Sequence, residues 1–192
     1  AFVAPCVDHD DSKRTTFSSI MLSHVIPTVG MTPLMIRAGG EHLVAIRAPD
    51  KYAITAVQDG KVTNVTDTNI TVEYDDKTIK TYRLYSWTTK EESGKCYEHK
   101  VITNLRKGDK FKNDETITYD SSFFTPDFYN PRTVIYRTSR AIRVMLVENK
   151  ETADDSCAIY KPLALKLASE VTVVRSIVIN CTENIYNVCK MG

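Results

Sequence analysis

The chain has 192 residues, of which 42% are hydrophobic and 26% charged, and its net charge is +1. That length accommodates one domain or two small ones with a real core, and the composition is that of a soluble globular protein. The near-zero charge excludes a polycation that holds nucleic acid by bulk electrostatics, so any such contact must come from local placement or from partner chains. In chain order, a short apolar run enters an acidic turn, Asp8-His9-Asp10-Asp11. Asp10 or Asp11 suits the N-cap of a helix, with a side-chain oxygen for the free first-turn amides. Phe17, Met21 and Val25 recur every four residues and predict a buried stripe, with Arg14 one turn before Phe17 on the same face. Pro27 ends the helix around residues 24–26.

A loop with Gly30, Pro33, Gly39 and Gly40 leads to a strand expected over residues 42–47. Hairpin grammar follows. Residues 52–57 run into an Asp59-Gly60 turn, residues 61–65 into a turn over 67–69, and Ile70, Val72 and Tyr74 alternate with Thr71 and Glu73. Asp75-Asp76-Lys77 turns the chain back into a strand expected over 79–87. Residues 88–95 are polar and read as a loop. Turns are expected at Lys107-Gly108-Asp109 and Asn113-Asp114, and an irregular surface segment over 121–131. Residues 140–147 become a solid apolar run that should enter a core. An acidic loop spans 148–156. Residues 157–166 read first as strand, then as a helix begun after Pro162. Buried strands are expected over 171–180 and 185–188. The sum is mainly β with few helices, without internal repeat or low-complexity tract.

Five cysteines, Cys6, Cys96, Cys157, Cys181 and Cys189, are widely spaced and contain no C-x-x-C pair. Neither a zinc site nor a disulfide framework is indicated, and free thiols fit a reducing cytosol. No apolar run reaches membrane-spanning length and no signal peptide is visible. The first residue is Ala, as expected for a processed chain or a piece of a longer one. Asn64, Asn69 and Asn180 begin Asn-x-Thr triplets, so a secreted glycoprotein is a third reading that sugar on Asn64 or Asn69 would decide.

The chemistry candidates each have a bland counterpart. The acidic turn offers carboxylates and an imidazole to a divalent cation, but capping and solvation explain it better than a self-contained metal site. Its His9-Asp10 pair is similar to that of metal-dependent phosphohydrolases, which need further histidines from other helices; only His24, His42 and His99 remain. Arg14, in a first helical turn, can grip a triphosphate with its guanidinium fork beside free backbone amides, or can bridge to Asp10 or Asp11. Asp154-Asp155 can sit near Mg2+ or form a solvated turn. Arg137, Arg140 and Arg143 form a basic cluster for nucleic acid, a partner subunit or neither. Phosphate-loop, dinucleotide-binding and Ser or Cys nucleophile motifs are absent.

Several pieces now fall into one order: Pro5, His9-Asp10-Asp11, Arg14, Met21 and Pro27; Tyr82 to Thr88 with Gly94-Lys95-Cys96; Leu105 with Gly108-Asp109-Lys110-Phe111-Lys112; Arg140-Ala141-Ile142-Arg143-Val144; Asp154-Asp155-Ser156 with Ile159; and Lys190-Met191-Gly192. In that order the chain resembles a central section of the β (second-largest) subunit of multisubunit DNA-dependent RNA polymerases.

The resemblance implies a double-psi β-barrel portion over residues 1–50 and 136–192, with an inserted β-hairpin, sandwich-like subdomain over 51–135. It implies that Arg14 touches the triphosphate of the incoming nucleotide and that Asp154 and Asp155 lie near the second Mg2+. The main Mg2+ ligands would belong to a partner β′ subunit. DNA template, RNA, NTP and other subunits would complete a nucleotidyltransferase in which the isolated chain is inactive. A cytoplasmic location follows, or the host cytoplasm or virion for a phage-encoded enzyme. The chain departs from the family at Asp154, where the family has Glu, at Ile20, where it has Asn, and at Ser23 and His24, where it has Arg-Gln, so the helix lacks several of the family's polar groups. Asp114 stands for a turn Gly, tolerable because Asp adopts positive φ. These departures resemble a fast-evolving phage-encoded polymerase. The alternative is a non-catalytic β-barrel scaffold that binds other polymerase subunits.

Overall fold

The computed structural model describes residues 4, 6–24, 28, 30–33, 36–90, 95–137, 140–147, 150, 156–168, 172–173, 177–184 and 186. A 3-10 turn, Val7–His9, precedes helix α1, Ser12–Ser23, and helix α2 is Glu41–Arg47. The strands that follow are β1 (Ala53–Thr55), β2 (Gly60–Val65), β3 (Asn69–Tyr74), β4 (Ile79–Arg83), β5 (Ser86–Lys90), β6 (Lys95–Ile102), β7 (Lys110–Phe111), β8 (Thr116–Asp120), β9 (Phe124–Pro126) and β10 (Val134–Tyr136). Helix α3, Lys161–Lys166, and strand β11, Thr172–Val173, complete the described elements. The chain is mainly β with few helices.

The hairpins form as their turn chemistry directs. One antiparallel sheet has the order β4-β3-β2-β7. In β3 alternate residues Ile70, Val72 and Tyr74 point inward and are buried, the period-two pattern of a half-covered sheet. Lys77 takes φ 68° at the β3–β4 turn, and Asp76 Oδ1 accepts the Thr78 amide at 2.8 Å. Gly60 opens β2 because nothing larger fits. A Cβ there would lie 2.6 Å from the Glu73 carbonyl oxygen and 2.8 Å from the Phe111 ring. Ile70, Val72 and Tyr74 pack with Val62, Leu105, Phe111 and Ile117 into the first core.

A second antiparallel sheet runs β1-β8-β6-β11, with β5 also paired to β6. Every residue of β8 is buried, so this strand joins the two cores. Ile117 faces the first, while Tyr119 packs with Ala45, Ala53, Phe124 and Val134 in the second. The β9–β10 pair and helix α2 close that second core.

Several expectations are corrected. Residues 42–47 belong to a helix, not a strand. Glu41, buried, folds its carboxylate back onto the Ala38 and Gly39 amides at 2.7 and 3.0 Å. Glu41 and Ala45, one turn apart, are buried together, whereas the apolar run alone satisfies either period. The Phe17–Met21 stripe is not buried: the two side chains are 48% and 63% exposed. Residues 140–147 enter no core among the described residues, and Val144, Met145 and Leu146 are more than 80% exposed. An apolar run becomes a buried strand only when a neighbour supplies both a hydrogen-bond ladder and a cover.

The same reason applies at Ile177–Ile179, exposed and irregular, so among the described residues the strand expected over 171–180 is seen only as Thr172–Val173, and residues 171 and 174–176 of it lie outside them. Residues 156–160 are irregular, and a helix does follow, beginning at Lys161 with Pro162 inside its first turn and not after it. The strand expected over 79–87 is two, β4 and β5. Residues 88–90, read as loop, extend β5 against β6. The surface segment 121–131 contributes β9, with Phe124 only 3% exposed. Asp114 takes φ 65°, as expected for its turn. Of the strand expected over 185–188, only Tyr186 is described.

Candidate functional site

Arg14 is the third residue of α1. The chain reaches it through Cys6, at φ 57°, and the Val7–His9 turn. Asp11 is the N-cap, but neither acid caps through its side chain as expected; Asp10 Oδ1 instead accepts the Asp11 amide at 2.9 Å. The first-turn amides therefore stay open at the partially positive end of the helix. Arg14 is exposed. Its guanidinium forms no ion pair among the described residues, so the alternative of a bridge to Asp10 or Asp11 is not made. His9 Nε2 lies 3.6 Å from Asp8 Oδ2, with both side chains exposed. Among the described residues no three His, Cys, Asp or Glu groups come together as metal ligands. Asp154 and Asp155 lie outside the described residues.

The basic cluster divides. Arg137 donates to the carbonyls of Met31 and Ser121, and burial draws its pKa below the usual guanidinium value. Arg140 donates to the Gly30 carbonyl at 3.1 Å, and the Ala141 amide to Thr32 Oγ1 at 3.3 Å. Two of the three arginines thus fasten the 30–32 loop to the residues at and after the end of β10, and of the three Arg143 alone is exposed.

A buried polar centre, not anticipated from the sequence, sits where β5, β6 and β8 meet. His99 Nδ1 is 2.6 Å from Asp120 Oδ2, and these side chains are 4% and 0% exposed. Asp120 Oδ1 accepts the Lys100 and Ser122 amides at 3.2 and 3.0 Å. His99 Nε2 meets Thr89 Oγ1 at 2.8 Å. Trp87, directly across the ladder from His99, stacks on the imidazole with centroids 4.0 Å apart and planes at 9°. Lys51 Nζ lies 5.1 Å from the Trp87 ring centre on the outside. Hydroxyl, imidazole and carboxylate follow the order of a nucleophilic triad. The imidazole, however, is shut in beneath the indole, so the arrangement works as a clasp between three strands. Only the cross-strand register brings these residues together, and no local motif marks them.

Beside this clasp lies an apolar cleft of about 710 Å3 between α2, the segment leading into β1, and the β9–β10 pair. Leu43, Val44, Tyr52, Phe123 and Tyr136 form its walls. Arg47 stands at its rim with a guanidinium that makes no ion pair or hydrogen bond among the described residues. Among those residues no helix is long and apolar enough to cross a membrane.

No protein-family model matches the chain. It is 29% identical over 113 residues to the DNA-directed RNA polymerase subunit beta of Leifsonia xyli subsp. xyli, covering 59% of this chain and 9% of that protein. It is 27% identical over 100 residues to the same subunit of Streptomyces avermitilis, covering 52% and 8%. To that of Fusobacterium nucleatum it is 30% identical over 117 residues, covering 61% and 10%. The chain is thus β-subunit-like over somewhat more than half its length and spans at most a tenth of the curated relatives it matches.

Proposed function

We propose that the chain is a section of the β subunit of a multisubunit DNA-directed RNA polymerase and forms one side of its active centre for template-directed RNA synthesis. The similarity to bacterial β subunits over 100 to 117 residues carries this reading. In it, residues 1–50 and 136–192 contribute to a double-psi β-barrel completed by other polypeptide, and residues 51–135 form an insertion. A β′-like subunit, template, RNA and NTP are the partners. The departures at Ile20, Ser23, His24 and Asp154 favour a phage-encoded source.

Arg14 would bind the triphosphate of the incoming nucleotide. It is exposed, unpaired within its own turn, and next to open helix amides, so it can take an anion without first breaking a bridge. Its charge would oppose the negative charge that shifts toward the leaving pyrophosphate oxygens. Mg2+, when bound, neutralises phosphate oxygens and orients them. Two adjacent carboxylates, Asp154 and Asp155, fit only a partial shell for such an ion. Its remaining oxygen ligands would come from the β′ partner, the nucleotide and water.

The test is Arg14→Ala in the assembled enzyme. Loss of a charge-assisted hydrogen bond worth about 1.5–3 kcal/mol raises the KM for NTP by roughly ten- to a hundredfold. An unchanged KM removes the assignment. The second reading is a non-catalytic scaffold, favoured by the exposed apolar run of Ile142, Val144, Met145 and Leu146, a surface suited to subunit contact. Full transcription activity after Asp154→Asn and Asp155→Asn together with Arg14→Ala would select it.

A further inference from the structure

The cleft beside α2 has no part in the reading above, and its chemistry is specific. Its volume of about 710 Å3 falls within the roughly 300–1,000 Å3 of ligand-binding clefts. Tyr52, Phe123 and Tyr136 make its walls aromatic, and the rings brace one another, Tyr52 on Phe123 at 6.4 Å and Phe123 on Tyr136 at 6.3 Å between centroids. These rings are preorganised and lose little freedom when covered. Among the described residues the only formal charge on the lining is Arg47 at the rim, which has no partner among them. Leu43, on the same wall, is 49% exposed and continues the apolar surface out of the cleft along α2.

We propose that this cleft docks a partner polypeptide through an aromatic or aliphatic side chain flanked by a carboxylate that pairs with Arg47. Charge and polarity decide among occupants. A nucleobase would bring several polar edge atoms into a lining with almost none to answer them, at a cost for each. A single-stranded backbone needs a track of cations, whereas one guanidinium matches one carboxylate. A free small aromatic acid satisfies the cleft but leaves the apolar ridge at Leu43 uncovered. The composition, aromatic anchors around one arginine, is that of an interface hot spot. The inference does not rest on Arg14, so either can fail without the other.

The experiment is an amide chemical-shift titration of the full chain with acetyl-Leu-Trp-Glu-Phe amide, its Gln analogue, 3-phenylpropionate and an eight-residue oligothymidylate. The Glu peptide is expected to shift amides of α2 and of residues 52, 123, 124 and 136, and to bind about two- to fivefold tighter than the Gln peptide, as a rim ion pair allows. Arg47→Gln should abolish that difference, and Ala48→Trp, which fills the cleft, should abolish peptide binding. Unchanged shifts elsewhere in both variants show that the fold is retained. The proposal is overturned by any of four outcomes: no cleft shifts with either peptide, a Glu preference that survives Arg47→Gln, 3-phenylpropionate binding as tightly as the peptide, or oligothymidylate displacing it.

Discussion

Asp120→Ala is the most revealing single change in this chain. The carboxylate is fully buried and accepts three hydrogen bonds, from His99 Nδ1, the Lys100 amide and the Ser122 amide. Each buried donor left unanswered costs about 1–3 kcal/mol, so a plain sum reaches roughly 3–9 kcal/mol. The true cost is lower, because the two amides lie near the surface and water can reach them after truncation. The imidazole can also move its proton to Nε2 and donate to Thr89. A loss of about 2–4 kcal/mol is expected, that of one or two buried donors left unanswered. Asp120→Asn is the control. Its Oδ1 still accepts both amides and its Nδ2 donates to His99 Nδ1 in the other tautomer, so it should lose less than half as much. Urea unfolding followed by far-UV circular dichroism gives the stabilities. The fluorescence of Trp87, the single tryptophan, reports the site itself because it stacks on His99. A loss below about 1 kcal/mol for Ala, or an Asn variant as unstable as Ala, would refute the clasp.

Three further outcomes follow from the same geometry. Gly60→Ala should cost about 1–3 kcal/mol in a thermal melt, since its Cβ meets strand backbone and a core ring that cannot retreat; Asp114→Gly, at φ 65°, should be neutral or mildly stabilising. Ile70→Ala, at a fully buried site, should cost about 2–5 kcal/mol, while Phe17→Ser, on the uncovered face of α1, should stay within about 0.5 kcal/mol in the isolated chain. Burial raises the pKa of Tyr74, Tyr119 and Tyr136 above the ordinary phenol value. Their neutral forms are thus favoured in the folded state. Stability should be intact below a pH of about 10 and fall as pH climbs from there toward the folded-state values. Phenolate absorbance from these three should then appear together with unfolding, and titration before unfolding would contradict their burial.

Local chemistry in the sequence was enough for the hairpins from β2 to β4, because the Asp67-Thr68-Asn69 and Asp75-Asp76-Lys77 turns and the alternation of Ile70, Val72 and Tyr74 act within a few residues. The same holds for the start and end of α1, and for the positive φ at Asp114. Arg14 was legible as a first-turn arginine, since helix position alone sets where its Cβ leaves the chain, but its exposure came only with the structure. The resemblance to a polymerase β subunit was legible too, and similarity to bacterial β subunits extends over somewhat more than half the chain.

Tertiary structure alone decided what was covered. Leu43, Val44 and Ile46 suit a strand or a helix equally, and only the fold of Glu41 onto two loop amides and the packing of Ala45 into the second core made them helix. Phe17, Met21 and residues 142–147 are apolar enough for a core, yet hydrophobicity states a demand for cover and not its supply. The clasp of Trp87, Thr89, His99 and Asp120 spans 34 positions in sequence and exists only once β5, β6 and β8 are in register. The cleft, likewise, is space between α2 and the β9–β10 pair, and its rings come from segments brought together only by folding.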